Sequence, residues 1–412
     1  MRYSTLVARA RAAAPAAADV DEVAAVLEAS GVNDRVAAEG YGYPSVFALA
    51  EVVHALAEPR RAGPGVRRDG PRRTREVFDT LVRAGLHLTP TVLAIGAAHR
   101  LGGLPRYATI GLLVAGWSFA QALAFLGYRV AGVSGRAAAA RPVALGFGVF
   151  AAVWVGVLAI AGAGPGAWLV GAAQVALFAA NTAALVTGQE RRTLAAALGC
   201  WAAAGLFATG QVRPGVVALG AGLAAMLALA YRPAVRTPAR WPDRRAYPAA
   251  LRHGLVGAGQ ALLFVVVVLA PGGRLTLAVP LLVGVPLTEL LLVWHQRRVA
   301  DGRARLADRA AFTDRLVRAA AGSAVALALP LAGGLALLGW PRLAGTVLLA
   351  GLYAICLVLV AHRRPLSAAG LMWWPALVLV AVPLEPAAVL LCAYPAGLLL
   401  AFPAMRDPAS YQ

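Results

Sequence analysis

The sequence predicts an all-α polytopic membrane protein: about twelve transmembrane helices in two parallel six-helix repeats, preceded by a small N-terminal helical module in the cytosol. Three observations predict it. Of the 412 residues, 60% are hydrophobic and only 14% charged, with a mean hydropathy of +0.70, whereas soluble domains carry roughly 25% charged residues. The apolar residues come in blocks of about 17 to 25, the length needed to cross roughly 30 Å of hydrocarbon. All 38 basic residues are arginine, and most fall in the short segments between those blocks, as loop arginines of membrane proteins do. The formal charge of +19 is therefore read as topology, and no nucleic-acid partner is expected.

Residues 1–84 differ from the rest. They hold no apolar run long enough for a signal peptide or an anchor, so the segment is expected to stay in the cytosol. Val20, Val23, Ala24 and Leu27 repeat at helical spacing behind the acidic start Asp19-Val20-Asp21-Glu22, with Gly31 as a stop. A second helix is expected from Ser45 through Phe47, Leu49, Val52, Val53 and Leu56, with Tyr41-Gly42-Tyr43-Pro44 as the turn between. The module takes in residues 1–58. A linker over 59–84 follows, whose stretch 59–75 carries seven arginines against the single acid Asp69. Such a segment suits an anionic leaflet.

Twelve spans are read from residue 85 onward: 85–103, 107–128, 142–163, 166–187, 193–210, 214–231, 253–271, 275–296, 319–338, 343–361, 366–383 and 386–404. The arginines test this count. With the N-terminus inside, alternate loops and the tail 405–412 hold 21 arginines, and the opposite loops and span edges hold only Arg100, Arg106, Arg213, Arg274 and Arg342. A wrong count scrambles such an asymmetry. Both termini are thus expected in the cytoplasm, and the protein in the inner (cytoplasmic) membrane.

The halves, 85–231 and 253–404, joined by a cytoplasmic link at 232–252, read as a duplication. Residues 191–201 (Arg191-Arg192 to Trp201) lie over 363–373 (Arg363-Arg364 to Trp373) with six of eleven positions identical at an offset of 172. Arg83-Ala84-Gly85-Leu86 lies over Arg252-His253-Gly254-Leu255, and near offset 168 Gln121 falls opposite Glu289. Six spans per half make the repeat parallel, about an axis along the membrane normal.

Polar side chains inside a span are costly and are candidates by default. Glu289 is the sole acid inside any predicted span; it suits a coupling carboxylate or a partner for substrate hydroxyls, or a carboxylate paired with Arg297. Gln121 shares its depth. Asn181, Gln174 and Gln260 suit a polar cavity, or plain interhelical hydrogen bonds. Arg100, at the outer end of the first span, is placed to meet a diphosphate. His87, His99, His253, His295 and His362 lie at span ends, where an amphipathic ring is ordinary. The cysteines Cys200, Cys356 and Cys392 lie in apolar blocks without metal spacing, so neither a metal nor another cofactor is expected. Prolines 90, 280, 286, 330, 375 and 395 interrupt spans and free backbone carbonyls.

Outer loops are short and hold one acid, Glu385. A lipid-dependent transferase needs carboxylates there, and the chain has no Gly-rich phosphate loop and no H-E-x-x-H. The expectation is a protein that is not an enzyme.

At the first span pair the text reads Ala98-His99-Arg100-Leu101-Gly102-Gly103-Leu104-Pro105-Arg106-Tyr107-Ala108. It resembles the A-R-x-L-G-x-x-x-Y-G stretch of polysaccharide-exporting members of the multidrug, oligosaccharidyl-lipid and polysaccharide exporter superfamily. His99 precedes the arginine here, and Ala108 replaces the second glycine. The resemblance implies a flippase or exporter of a lipid-linked saccharide or polysaccharide, working by alternating access between two bundles, with Arg100, Gln121, Asn181, Gln260 and Glu289 toward substrate. Membrane lipids, and a cytosolic glycosyltransferase docked on residues 1–84, are the partners this reading suggests. Two rivals share the layout. A major-facilitator-like transporter is expected to show G-x-x-x-D-R-x-G-R-R after the second span, where this chain reads Gly127-Tyr128-Arg129-Val130-Ala131-Gly132 without an aspartate. A non-transporting membrane scaffold would recruit cytosolic partners through residues 1–84.

Overall fold

The computed structural model describes residues 20–29, 31–57, 70–98, 106–238, 240–270, 275–305 and 309–407. Among them every regular element is helical. The chain divides into two compact units, Met1–Arg73 with Gln296–Leu316, and Thr74–His295 with Val317–Gln412.

The first unit holds three short helices, α1 (Val20–Ala29), α2 (Asp34–Tyr41) and α3 (Val46–Ala57). The sequence reading expected two helices with one turn between them, so α2 is a correction. Its ends are set by short polar signals. The Asn33 side chain accepts from the Val36 amide, and Gly42 closes the helix in the left-handed region at φ 77°, a conformation open to glycine at no steric cost. Asp34 then accepts from the Val46 amide at 2.7 Å, tying the start of α2 to the start of α3. Val23, Leu27, Ala37, Leu49 and Val53 form its core.

The second unit is the membrane domain. Its helices are α4 (Gly70–Ala98), α5 (Arg106–Ser134), α6 (Ala140–Ile160), α7 (Pro165–Thr187), α8 (Glu190–Ala208), α9 (Val212–Arg236), α10 (Tyr247–Phe264), α11 (Leu275–Arg305), α12 (Arg309–Ala336), α13 (Pro341–Ala361), α14 (Pro365–Ala381) and α15 (Pro386–Arg406), where the ends of α4, α11 and α12 reach into the first unit. A π-helical turn, Val265–Leu269, extends α10. The described part of each of the twelve segments read from the sequence overlaps one of these helices, with residues 99–103 and 271 outside the described residues. Among the described residues nine helices are long and apolar enough to cross a membrane. The other three are α4, which opens on arginines, α8, which opens on Glu190-Arg191-Arg192, and α14, apolar but only 17 residues long. The chain is an all-α, multi-pass membrane protein.

Most buried side chains of this unit gather in two large clusters that follow the two halves of the chain. One is built around Leu86, Phe147, Trp154, Phe178 and Phe207, the other around Phe264, Leu281, Leu348, Ile355 and Tyr394. Trp117 of α5 packs against both. It meets Phe264 edge-on at 6.0 Å and Tyr353 at 6.4 Å between ring centroids.

Some helix pairings occur in both halves. Within the first half α8 lies on α9 and α7 on both α9 and α5; within the second α14 lies on α15 and α13 on α15, with Gly284 of α11 facing Ala350 of α13. Trp201 of α8 donates its indole N–H to Thr89 Oγ1 on α4 at 3.0 Å, and Trp373 of α14 donates to the Leu255 carbonyl on α10 at 2.9 Å. These are the tryptophans aligned at offset 172. Two further donors stand at the same offset, Asn181 of α7 to the Leu86 carbonyl on α4 and Tyr353 of α13 to the Gln260 carbonyl on α10, although the acceptors do not align at 172 in either pair of bonds.

Candidate functional site

The halves meet where α5 packs along α10. Small residues make this approach close. A Cβ built on Gly257 lies 2.7 Å from the Trp117 carbonyl oxygen, and one on Gly254 lies 3.2 Å from Ser118 Oγ, so neither position has room for a larger side chain without separating the helices. One turn past Gly257, Gln260 is buried and accepts from Gln121 Nε2 at 3.4 Å across the interface. Its own amide reaches Cys356 Sγ at 3.5 Å.

Asn181 owes its contact to a proline. Pro90 has no N–H and cannot bond the carbonyl four residues back, which is that of Leu86. Asn181 Nδ2 donates to this carbonyl at 2.8 Å. The exchange leaves Asn181 Oδ1 buried without a hydrogen-bond partner among the described residues, a costly state unless water or a ligand reaches it. It lines a cavity of about 100 Å³ whose other polar walls are His87, Thr91, Gln121 and Thr182, with Trp117, Phe178 and Phe264 among the apolar ones. That volume holds a few waters and no sugar.

Glu289 of α11 meets His87 of α4, Nε2 to Oε1, at 4.0 Å. The pair again joins the two halves. Glu289 is largely shielded, its side chain 19% exposed, and His87 is open at 47%. At this separation the two groups attract when the ring is protonated but do not hydrogen-bond, so a direct proton exchange requires them to close to about 3 Å. Gln121, Gln260, Glu289 and Asn181 are thus placed within one strip between or beside the halves, whereas Arg100 lies outside the described residues. Gln174 is buried in the first half, its Oε1 without a hydrogen-bond partner among the described residues.

The sequence reading set His87 among the span-end rings and missed its position on the cavity. The available signal was its place three residues before Pro90, in a span where a titratable ring is costly. His295 and His362 form a second pair, ring centroids 5.6 Å apart, with Ser323 Oγ 2.9 Å from His295 Nδ1. Burial holds the His362 imidazole below its ordinary pKa.

Comparison with family models, with curated proteins and with solved structures returns no match for this chain.

Proposed function

We propose that the protein is a transporter that flips or exports a lipid-linked saccharide or polysaccharide by alternating access of its two halves. The observation that carries this reading is the polar strip across the halves, His87–Glu289 and Gln121–Gln260, beside a cavity in a domain whose spans are mostly apolar. A scaffold has no need for an acid at this depth, because polar groups inside a membrane cost free energy and persist where they act. The recurring helix pairing and the matched donors of Asn181 and Tyr353, and of Trp201 and Trp373, support a duplicated parallel six-helix unit. Such a unit gives two bodies able to rock about the α5–α10 seam. In the present conformation the cavity is too small for a saccharide, so the reading assigns this conformation to the closed member of the cycle.

In this reading the chain moves its substrate and does no bond chemistry, and the lipid chain of the substrate stays in the bilayer. The arginine-rich end faces the cytoplasm of the inner membrane; a reporter fused after Gly135 that reads external would reverse this. Residues 1–84 dock a cytosolic partner of the saccharide-assembling kind beside that end. The functional test is proteoliposomes carrying a fluorescent polyprenyl-diphosphate saccharide. Dithionite quenches only the outer leaflet, so flipping exposes the inner pool; the protein is expected to take quenching from about half toward completion, and an unchanged plateau rejects the substrate class.

A further inference from the structure

A second polar site lies at the arginine-rich end of the first half, apart from the strip between the halves. Asp79 and Arg83 of α4, Arg136 of the turn after α5, and Gly188 to Arg192 at the α7–α8 turn enclose a pocket of about 440 Å³. This lies within the size range of small-molecule sites, roughly 300 to 1,000 Å³. Two of its four arginines are fixed by acids: Arg191 Nε meets Asp79 Oδ1 at 2.5 Å and Arg83 Nε meets Glu190 Oε1 at 3.5 Å. The hydrogen bond from Arg191 to Asp79 pushes the guanidinium pKa further up, and Arg191 also lies over the Phe78 ring at 5.3 Å. Arg136 and Arg192 line the same pocket and have no acidic partner among the described residues. Four guanidinium groups against two carboxylates leave two positive charges converging on one space.

Gly188 makes room for one of them. It sits in the left-handed region at φ +75°, and a Cβ there would lie 2.6 Å from Arg136 Nη1. The pocket follows directly on the candidate spans ending at Ser134 and Thr187, where a bilayer crossed by those helices would place its headgroups. Guanidinium groups present paired N–H donors that match phosphate oxygens, and two uncompensated charges match a phosphate dianion or a diphosphate.

We infer that this pocket binds a phosphate- or diphosphate-bearing anion, the headgroup of a lipid or a soluble phosphate, through Arg136 and Arg192 with Arg83 and Arg191 held in place behind them. The inference stands on the pocket and not on the transport reading; equilibrium binding can fail while flipping persists, and the reverse.

The test uses the full chain purified in a maltoside detergent free of phosphate, titrated calorimetrically with inorganic pyrophosphate and, separately, with farnesyl diphosphate. Saturable binding is expected for the wild type, weakening with added salt. Arg136→Gln with Arg192→Gln is expected to lower affinity roughly tenfold to a hundredfold or more, the effect of losing charged hydrogen bonds. Gly188→Ala is expected to act in the same direction by displacing Arg136, and Arg232→Gln, an exposed arginine outside the pocket, to leave affinity unchanged. Tighter binding of farnesyl diphosphate identifies a lipid source, and equal affinities identify a soluble anion. Absence of saturable binding for both probes, or binding that the double variant retains in full, overturns the site.

Discussion

Glu289→Gln is expected to slow flipping by roughly five- to a hundredfold, the range of coupling free energies of 1–3 kcal/mol, with abundance and membrane insertion unchanged. The substitution keeps the shape of the side chain and its hydrogen-bonding reach, so the packing of α11 is undisturbed. What it removes is the charge facing His87 at 4.0 Å and the ability of the pair to exchange a proton. His87→Gln is expected to give the same defect. Because the two groups act as one unit, the double variant is expected to be no slower than either single one. The measurement is the rate of dithionite-accessible quenching in proteoliposomes of equal protein content. A Glu289→Gln protein that flips at the wild-type rate removes the acid that pairs across the halves from the mechanism.

The second large effect is structural. Gly257→Val is expected to unseat α10 from α5. The added Cβ would stand 2.7 Å from the Trp117 carbonyl oxygen and 3.0 Å from its carbon, both backbone atoms, with Gln121 Cγ at 2.8 Å. A flexible side chain could swing aside, but a helix backbone cannot. Overpacking of this kind costs about 1–3 kcal/mol and sometimes more, and here it also parts Gln121 from Gln260. The expected outcome is a lower yield of monodisperse protein and an apparent Tm reduced by about 5 °C or more. Gly156→Val, at a position with nothing within 4 Å of the added carbon, serves as the comparison and is expected to leave both measurements unchanged.

Much of the fold is legible in the sequence because it is written in one-dimensional signals. Apolar block length places the helices: α4 to α15 underlie the described parts of the twelve segments, and nine of these helices are long and apolar enough to cross a membrane. Short helices fare worse. α2 is bounded by Asn33 and Gly42 and contains Gly40, so its eight residues look like loop, and only the cap geometry distinguishes it. Span membership of α4 and α8 is blurred for a related reason: both helices open on arginines, and on α4 Arg83 stands further along, just before the apolar stretch.

The site was legible as a set of residue types and not as a set of contacts. Gln121 and Glu289 share a depth at offset 168, yet each meets a different partner, Gln260 and His87, and neither pairing follows from spacing. His87 was obscure because an amphipathic ring near a span end is ordinary on any helix. Its role depends on α4 approaching α11, which is a tertiary fact. Asn181 is the informative exception. Pro90 in a span announces a freed carbonyl at Leu86, and a buried amide elsewhere in the same half is the group to look for. The arginine pocket escaped because the same arginines were already accounted for by topology. Only their convergence, and the space that Gly188 leaves for Arg136, separates a site from a loop.

The central claim is that the two halves move against each other about the α5–α10 seam. Its most direct test is the distance between spin labels placed on opposite halves at each end of the domain, in a chain with Cys200, Cys356 and Cys392 replaced by alanine. Ile160 and Leu338 mark one end; Val133 and Leu366 mark the arginine-rich end, and all four are exposed. The account predicts two populated distances for each pair, the one lengthening as the other shortens, with Glu289→Gln shifting the populations in opposite senses at the two ends. A single distance for each pair, unchanged by Glu289→Gln, would contradict alternating access and leave a rigid membrane scaffold.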